Sequence, residues 1–424
     1  MREHFLSFVW QHKLFAHDEL KTTEGQFLSI IHSGYLNHDA GPDFREARVK
    51  LDDILWSGNV EIHVRSSDWQ LHGHESDPAY DNVILHVVYE DDRPVIGKAG
   101  SPVPCLELKR RLMHKYIRNW KRLETRRSWL PCGSGFADVK PATRANTMER
   151  MTIERLESRT FELLHRLEQV KGDWTQLIFE RLSRGMGFGK NGEAFEQMAR
   201  SIPSRILMKA SDSHLTIEAI LFGQQGLLKD PVDNYQMELR STYDFLRQKY
   251  GIEPLGPGRL KFLRTRPSNF PTVRLSQLAA LISRGSEDFS HFLEVTDWNE
   301  VRAALQCQVS PYWQRHYDFG KSCKQTVRAL SLQSQQLLTI NVLVPLQFAY
   351  ATYLGSEVRK ANALSLLGGV SAENNKIIRK WRGFGAKPKN GLDTQGLLHL
   401  HGAYCSKHRC LACPVGSELI RKMD

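Results

Sequence analysis

Gly41-Pro-Asp-Phe-Arg-Glu-Ala-Arg-Val-Lys-Leu-Asp-Asp-Ile-Leu-Trp-Ser-Gly-Asn-Val-Glu-Ile-His-Val-Arg65 is the stretch that decides the fold. Asp43 leads into one strand-like run, Asp52-Asp53 marks a hairpin turn, and Trp56 to Arg65 forms the next strand. Side chains along a strand alternate between faces. Glu61 and His63 therefore share one face, while Val60, Ile62 and Val64 take the other. Paired as neighbours, the two strands bring Asp43 to Glu61. Two carboxylates converging at a strand end are what a hard divalent cation coordinates. The stretch predicts a divalent-metal site suited to phosphodiester chemistry.

Upstream, residues 1–15 read as an amphipathic helix with Phe5, Phe8 and Val9 near one stripe, and Gln26 to Ile31 as a short strand. The polar run Asn37 to Pro42 makes the turn that delivers Asp43. Downstream, Ser66 to Asp81 connects to Asn82 to Tyr89, an apolar run of the kind buried on both faces of a sheet. Pro104 to Leu108 is one further strand. The expected order is helix, three strands, a crossover, then a strand. His72, Gly73 and His74 place two imidazoles beside the carboxylates, with Asp77 and His86 nearby; such ligands favour Mn²⁺ or Zn²⁺ over Mg²⁺. The competing reading makes His72 and His74 a polar surface loop, packs His86 in a strand, and leaves Asp43 and Glu61 as buried acids held by turn amides.

A chain of 424 residues is expected to form two or three domains, divided here as 1–130 (α/β), 131–255 (helical) and 256–424 (helical, ending in a cysteine cluster). Hydrophobic and charged contents of 41% and 25% are those of a globular protein, and no apolar run reaches the ~18 residues of a membrane span. The N-terminus is too polar for a secretion signal, so the expected compartment is the cytoplasm. A net charge of +11 favours polyanion partners. Arg110, Arg111, Lys115 and Arg118 lie in a basic stretch interleaved with Trp120 and Trp129. Lys261, Arg264, Arg266 and Arg274 lie in or just after a proline- and glycine-rich connection, Pro254 to Pro271. Both groups are candidates for DNA or RNA phosphates, with the aromatics free to stack on bases. Each has a bland alternative: a solvated helix face with Leu112, Tyr116, Trp120 and Leu123 as its apolar stripe, and an interdomain brace. Residues 141–250 and 272–384 read as helical, with Leu337 to Leu354 a central helix carrying Pro345. Gly185 to Gly192 is a turn, not a phosphate loop, because it follows a helix and lacks the Gly-Lys-Ser/Thr ending.

Seven cysteines, an odd number, argue against a disulfide scaffold. Cys405, Cys410 and Cys413 form C-x4-C-x2-C, a spacing that lets three thiolates reach one metal. His401, His408, His399 and the distant Cys132 are the candidates for a fourth ligand. Zinc fits three cysteines and a histidine such as His401, and an iron–sulfur cluster fits an all-thiolate set. The expected role is structural, because a closed thiolate site keeps no open position. Cys307 and Cys323 read as core thiols.

With Pro42-Asp43 and Glu61-Ile62-His63 where they stand, the first quarter of the chain resembles the PD-(D/E)XK nuclease superfamily. That resemblance implies a mixed-sheet α/β nuclease-like domain, with Asp43 and Glu61 holding Mg²⁺ or Mn²⁺. His63 stands where the superfamily has lysine, and would orient the attacking water or accept its proton. The chain also resembles, along most of its length, a bacterial family of unknown function, through Gly41-Pro-Asp-Phe44, Gly58-Asn-Val-Glu-Ile-His63, Ser66-Ser-Asp-Trp69 and the C-terminal cysteines. The tail is similar to the cysteine tails of some DNA glycosylases and loosely to the iron–sulfur staples of certain PD-(D/E)XK nucleases. The expected function is a metal-dependent nuclease acting on DNA or RNA. The alternatives are a nucleic-acid-binding or scaffold protein that kept the fold without cleaving, and a hydrolase of another substrate working through the histidine-rich loop.

Overall fold

Six strands make one mixed sheet in the computed structural model, which describes all residues except 98–99, 257–258, 267–268, 284–288, 325–328 and 423–424. They are β1 (Leu28–His32), β2 (Tyr35–Leu36), β3 (Phe44–Leu51), β4 (Ile54–Arg65), β5 (Val83–Glu90) and β6 (Cys105–Glu107). The order across the sheet is β1-β3-β4-β5-β6, with β2 also pairing to β3. β3 runs antiparallel to β1, β2 and β4, whereas β4, β5 and β6 are mutually parallel. Asp52, at φ 50°, takes the left-handed conformation that the β3–β4 hairpin needs. The apolar run expected to be buried is so: Ile84 to Val88 are five consecutive buried residues.

A parallel pair requires a crossover. Between β4 and β5 it is a short helix, α2 (Asp68–Leu71), followed by a 3₁₀ turn over Pro78–Tyr80. Asp92, just past β5, ties down its start by accepting hydrogen bonds from the Ser66 hydroxyl (2.9 Å), the Ser67 hydroxyl (2.8 Å) and the Ser67 amide (2.9 Å). Where the pairing of β3 with β4 slips between Phe44 and Ala47, Glu46 sits at φ 58°. This bulge bends the start of β3 and re-aims the residues around Asp43.

Two helices pack beside the sheet. Phe5 to Trp10 of α1 (Glu3–Gln11) are all buried, so this helix is enclosed on nearly every side. In α3 (His114–Thr125), Trp120 and Leu123 face inward, and the Trp120 indole stacks on Phe5 with ring centres 4.3 Å apart. Trp120 is a core residue of this pair.

Two compact units divide the chain: Met1–Thr147 together with His401–Asp424, and Met148–Leu400. The segments 1–130, 131–255 and 256–424 followed composition; compactness instead joins residues 131–147 and the cysteine tail to the sheet. The second unit is mostly helical. Its tight packing shows at Gly223, where a Cβ would lie 2.2 Å from the Tyr243 ring. The expected central helix comes in three pieces: Leu332–Leu338, a π turn over Thr339–Leu343, and Val344–Tyr353. Pro345 lacks an amide hydrogen, and the wider turn before it absorbs the missing bond. Parts of the stretches 254–271 and 272–384 lie outside the described residues. No helix among the described residues is long and apolar enough to cross a membrane.

Candidate metal centre

The β3–β4 hairpin brings Asp43 and Glu61 together, each carboxylate accepting the other strand's amide. The Asp43 amide donates to Glu61 Oε2 at 3.0 Å, and the Ile62 amide donates to Asp43 Oδ2 at 3.2 Å. Burial pushes Glu61 up to about 8, and the Asp43 charge adds to the shift. Burial raises Asp43 to about 6, against the lowering effect of the Ile62 amide. Glu3, on the first turn of α1, adds its charge to both. The three carboxyl groups thus disfavour one another's ionisation.

Imidazoles fill the rest of the site. His74 Nε2 lies 3.4 Å and His63 Nε2 3.6 Å from Glu61 Oε1, and His63 Nε2 lies 3.1 Å from His72 Nδ1. One ring nitrogen from each of His63, His72 and His74 falls within 4.8 Å of the others. Two ligands at the usual ~2.1 Å from one ion stand roughly 3.0–3.4 Å apart, so these spacings suit donors gripping a single cation. On its other side His63 Nδ1 meets His86 Nε2 at 2.8 Å. If Nδ1 carries the proton and donates it there, Nε2 keeps a lone pair aimed into the cluster.

His63 is expected to orient water or take up its proton. Burial, then the neighbouring His86, His74 and His72, drive its pKa down to about 2, and the side chain is 1% exposed. An imidazole held neutral offers its lone pair to a metal. His74 is held in place by Tyr80, whose ring stacks on it with centres 3.8 Å apart, and by the edge of Trp69. Glu3, Trp69 and Tyr80 complete the site, and strand periodicity carries no trace of them. The one local signal was Asp77 before Pro78: its carboxylate accepts the Ala79 amide and caps the turn that presents Tyr80.

Asp43 also lines a cavity of about 920 Å³. Its walls include Arg2, Glu3, His4, Trp120, His408 and Arg409, mixing cations with an aromatic edge beside the acids. Arg2 pairs with Glu124, which also lines the cavity.

The basic residues fare differently. Arg111 donates to the carbonyls of Ala16, Asp18 and Glu19 and so braces a loop. Arg274 is 7% exposed, lies over the Phe188 ring, and donates to Asn269, Gln277 and Ser334; burial lowers its pKa to about 10. The Arg274 guanidinium is thus buried among protein partners, whereas Arg111 is half-buried. Arg110, Arg118, Lys261, Arg264 and Arg266 are exposed, and Lys115 is half-buried near Tyr116. In the tail, His401 stacks on Trp129 with ring centres 4.2 Å apart. Cys405 and Cys413 are buried, Cys132 and Cys410 are partly so, and all four are free of disulfides.

None of the curated proteins and none of the solved structures matches this chain. One family model does, over residues 3–376, nearly the whole length. The chain belongs to the family described as "Protein of unknown function (DUF2851)".

Proposed function

We propose that this protein hydrolyses phosphodiester bonds in DNA or RNA, using a divalent cation held by Glu61, His63, His72 and His74 with Asp43 at the cavity edge. The observation that carries the reading is the donor spacing of 3.1–3.6 Å among Glu61, His63, His72 and His74. A cation there lowers the pKa of a bound water and neutralises charge on a phosphate. Three imidazole nitrogens favour Mn²⁺ or Zn²⁺; Mg²⁺ would rely on the Asp43–Glu61 oxygens. The mixed sheet, with an aspartate entering one hairpin strand and an acid in the next, accords with a PD-(D/E)XK arrangement. His63 in the lysine position then serves as a ligand and brings no positive charge to the transition state. Arg2 and Arg409, which line the adjacent cavity, supply cations for a phosphate backbone.

The test is cleavage of single- and double-stranded DNA and RNA with Mn²⁺, Zn²⁺ or Mg²⁺, comparing wild type with Glu61→Gln and His74→Ala. A metal-dependent activity lost at least 100-fold in both variants is expected. Equal residual cleavage in all three proteins removes the assignment. Salt-sensitive binding without cleavage would leave a nucleic-acid-binding protein on the same fold.

A further inference from the structure

We propose that the helical unit holds a second ligand site, a cavity of about 630 Å³ whose cations and apolar wall suit a nucleoside phosphate. The cavity lies wholly within residues 148–400, and the inference stands whether or not the histidine site cleaves anything.

Charge is the first argument. Five cationic side chains, Arg159, Arg181, Arg184, Lys190 and Lys261, line the cavity against two acids, Glu162 and Glu193. The acids behind the lining do not balance it. Buried Glu180 pairs with Arg166 and Arg200, and buried Glu196 with Arg181, Arg184 and Arg200, so two carboxylates serve four guanidiniums. Arg181 Nη1 stands 3.3 Å from Glu196 Oε1, yet its Nε is buried with no hydrogen-bond partner among the described residues. Arg159 is half-buried and makes no hydrogen bond to another described residue. Burial, then the like charge of Arg155, lower it to about 10, which still leaves it charged at neutral pH. An anion in the cavity would meet guanidiniums that the protein itself leaves in excess.

Packing fixes the walls. The π turn Thr339–Leu343 brings Asn341 and Val342 to the cavity, and such turns recur at functional sites. Gly185, in the helix Trp174–Met186, approaches that turn so closely that a Cβ would stand 2.5 Å from Val342 Cγ2. Phe188 opens the helix Phe188–Arg200 at φ 38°, a strained backbone for a bulky residue, and it too lines the cavity. Asn191 anchors Lys261: its Nδ2 donates to the Lys261 carbonyl at 3.1 Å, and its Oδ1 accepts the Lys261 amide at 2.8 Å. Lys190 ties the same segment by donating to the Leu263 and Arg264 carbonyls at 3.4 and 3.0 Å.

The lining also selects the ligand. Small-molecule sites measure about 300–1,000 Å³, and this cavity falls among them. Inorganic phosphate would satisfy the cations and leave Leu163, Phe188, Leu337, Val342, Pro345 and Leu346 against water. An acyl phosphate would cover that wall and offer nothing to Glu162 and Glu193. A nucleoside phosphate answers all three features: phosphate oxygens for the guanidiniums, a planar base for the apolar wall, and hydroxyl or amine donors for the carboxylates.

The experiment is calorimetric titration of the full chain with each of the common ribonucleoside 5′-monophosphates and triphosphates. A His72→Ala/His74→Ala background with EDTA keeps the histidine site out of the reading. At least one nucleotide should bind with a Kd of about 100 µM or tighter. Arg159→Gln and Lys261→Gln should each weaken it about tenfold, whereas Arg205→Gln, exposed on the same unit outside the cavity, should not. Arg159 has no internal hydrogen bond to lose and Lys261 is exposed, so both variants should keep the parent Tm. No binding by any of these nucleotides, parental affinity in Arg159→Gln and Lys261→Gln, or an equal loss in Arg205→Gln overturns the proposal. So does inorganic pyrophosphate binding as tightly as the nucleotide, because the apolar wall would then contribute nothing. A single-stranded oligonucleotide that binds where no mononucleotide does would overturn it in favour of a polymer groove.

Discussion

His86 never reaches the cavity, yet it decides what His63 can do. Its Nε2 faces His63 Nδ1, and its own Nδ1 is buried with no hydrogen-bond partner among the described residues. A metal-binding imidazole is oriented by what its second nitrogen meets, and losing such a partner costs about 10–100-fold in affinity. His86→Ala should therefore weaken Mn²⁺ binding by about that factor with Glu61, His72 and His74 intact. Calorimetric titration checks it; an unchanged Kd in a folded variant would remove His86 from the site. A second expectation concerns pH. Without metal, folded Glu61 keeps its proton up to about 8, far above its ordinary value, because of burial. Between those two values the folded state binds more protons than the unfolded one, so stability falls as pH rises. His63 and His86 act oppositely: lowered to about 2 and about 3, they remain neutral where the unfolded chain takes up protons, so stability also falls below their ordinary value of 6.5. A cation displaces the Glu61 proton. The rise in Tm caused by Mn²⁺ should therefore grow between about pH 6 and about pH 8, and a pH-independent rise would exclude Glu61 as a ligand. At this scale the sequence was legible where period-2 alternation rules, since it put Glu61 and His63 on one face. Glu3 and Tyr80 were not legible, because a helix start and a 3₁₀ turn reach the site only through tertiary packing.

β4 carries the site, and the point where it begins to pair with β5 is set by Gly58. A Cβ there would stand 2.5 Å from Ile84 Cγ2 and 2.6 Å from the Asn82 carbonyl, at the mouth of the parallel β4–β5 pairing. Gly58→Ala must push β5 away or shift the register between Asn59 and Val60, where the pairing is already irregular. Overpacking of this kind costs about 1–3 kcal/mol, and it acts three residues before Glu61. The expected result is a lower urea midpoint together with weaker metal binding. A variant that loses stability but keeps full metal affinity would mean that register at Gly58 does not position the site. The hairpin and the buried β5 run could be read from residue types, because Asp52-Asp53 and a continuous apolar stretch each have one common structural meaning. The bulge at Glu46 had no such signal. It arises from pairing, and pairing is not a local property. The histidine-bearing crossover reads in the sequence only as the connection from Ser66 to Asp81, because its helix α2 is a single turn.

Across the whole molecule, the chain's two ends belong to one unit. The last residues return to the sheet unit: Asn119 donates to the Leu419 and Ile420 carbonyls at 3.4 and 3.2 Å, and the Lys140 amide donates to Glu418 at 2.8 Å. Composition could not reveal this return, since a helical segment followed by a cysteine tail reads as one continuous domain. What closes the unit is the contact of Asn119 with Leu419 and Ile420, about 300 positions apart, and no local pattern in the sequence links those partners. Deleting residues 401–424 should therefore injure the sheet unit and not the helical unit that precedes the tail in sequence. It uncovers Asn119, which is 4% exposed, and strips the helix covering α3. Hydrogen exchange measured by mass spectrometry separates the two units. Protection should fall in β3 to β5 and α3, and hold in residues 148–400. Uniform protection in both units, with Mn²⁺ binding at the histidines unaltered, would show that the tail is an appendage and that the sheet folds without it.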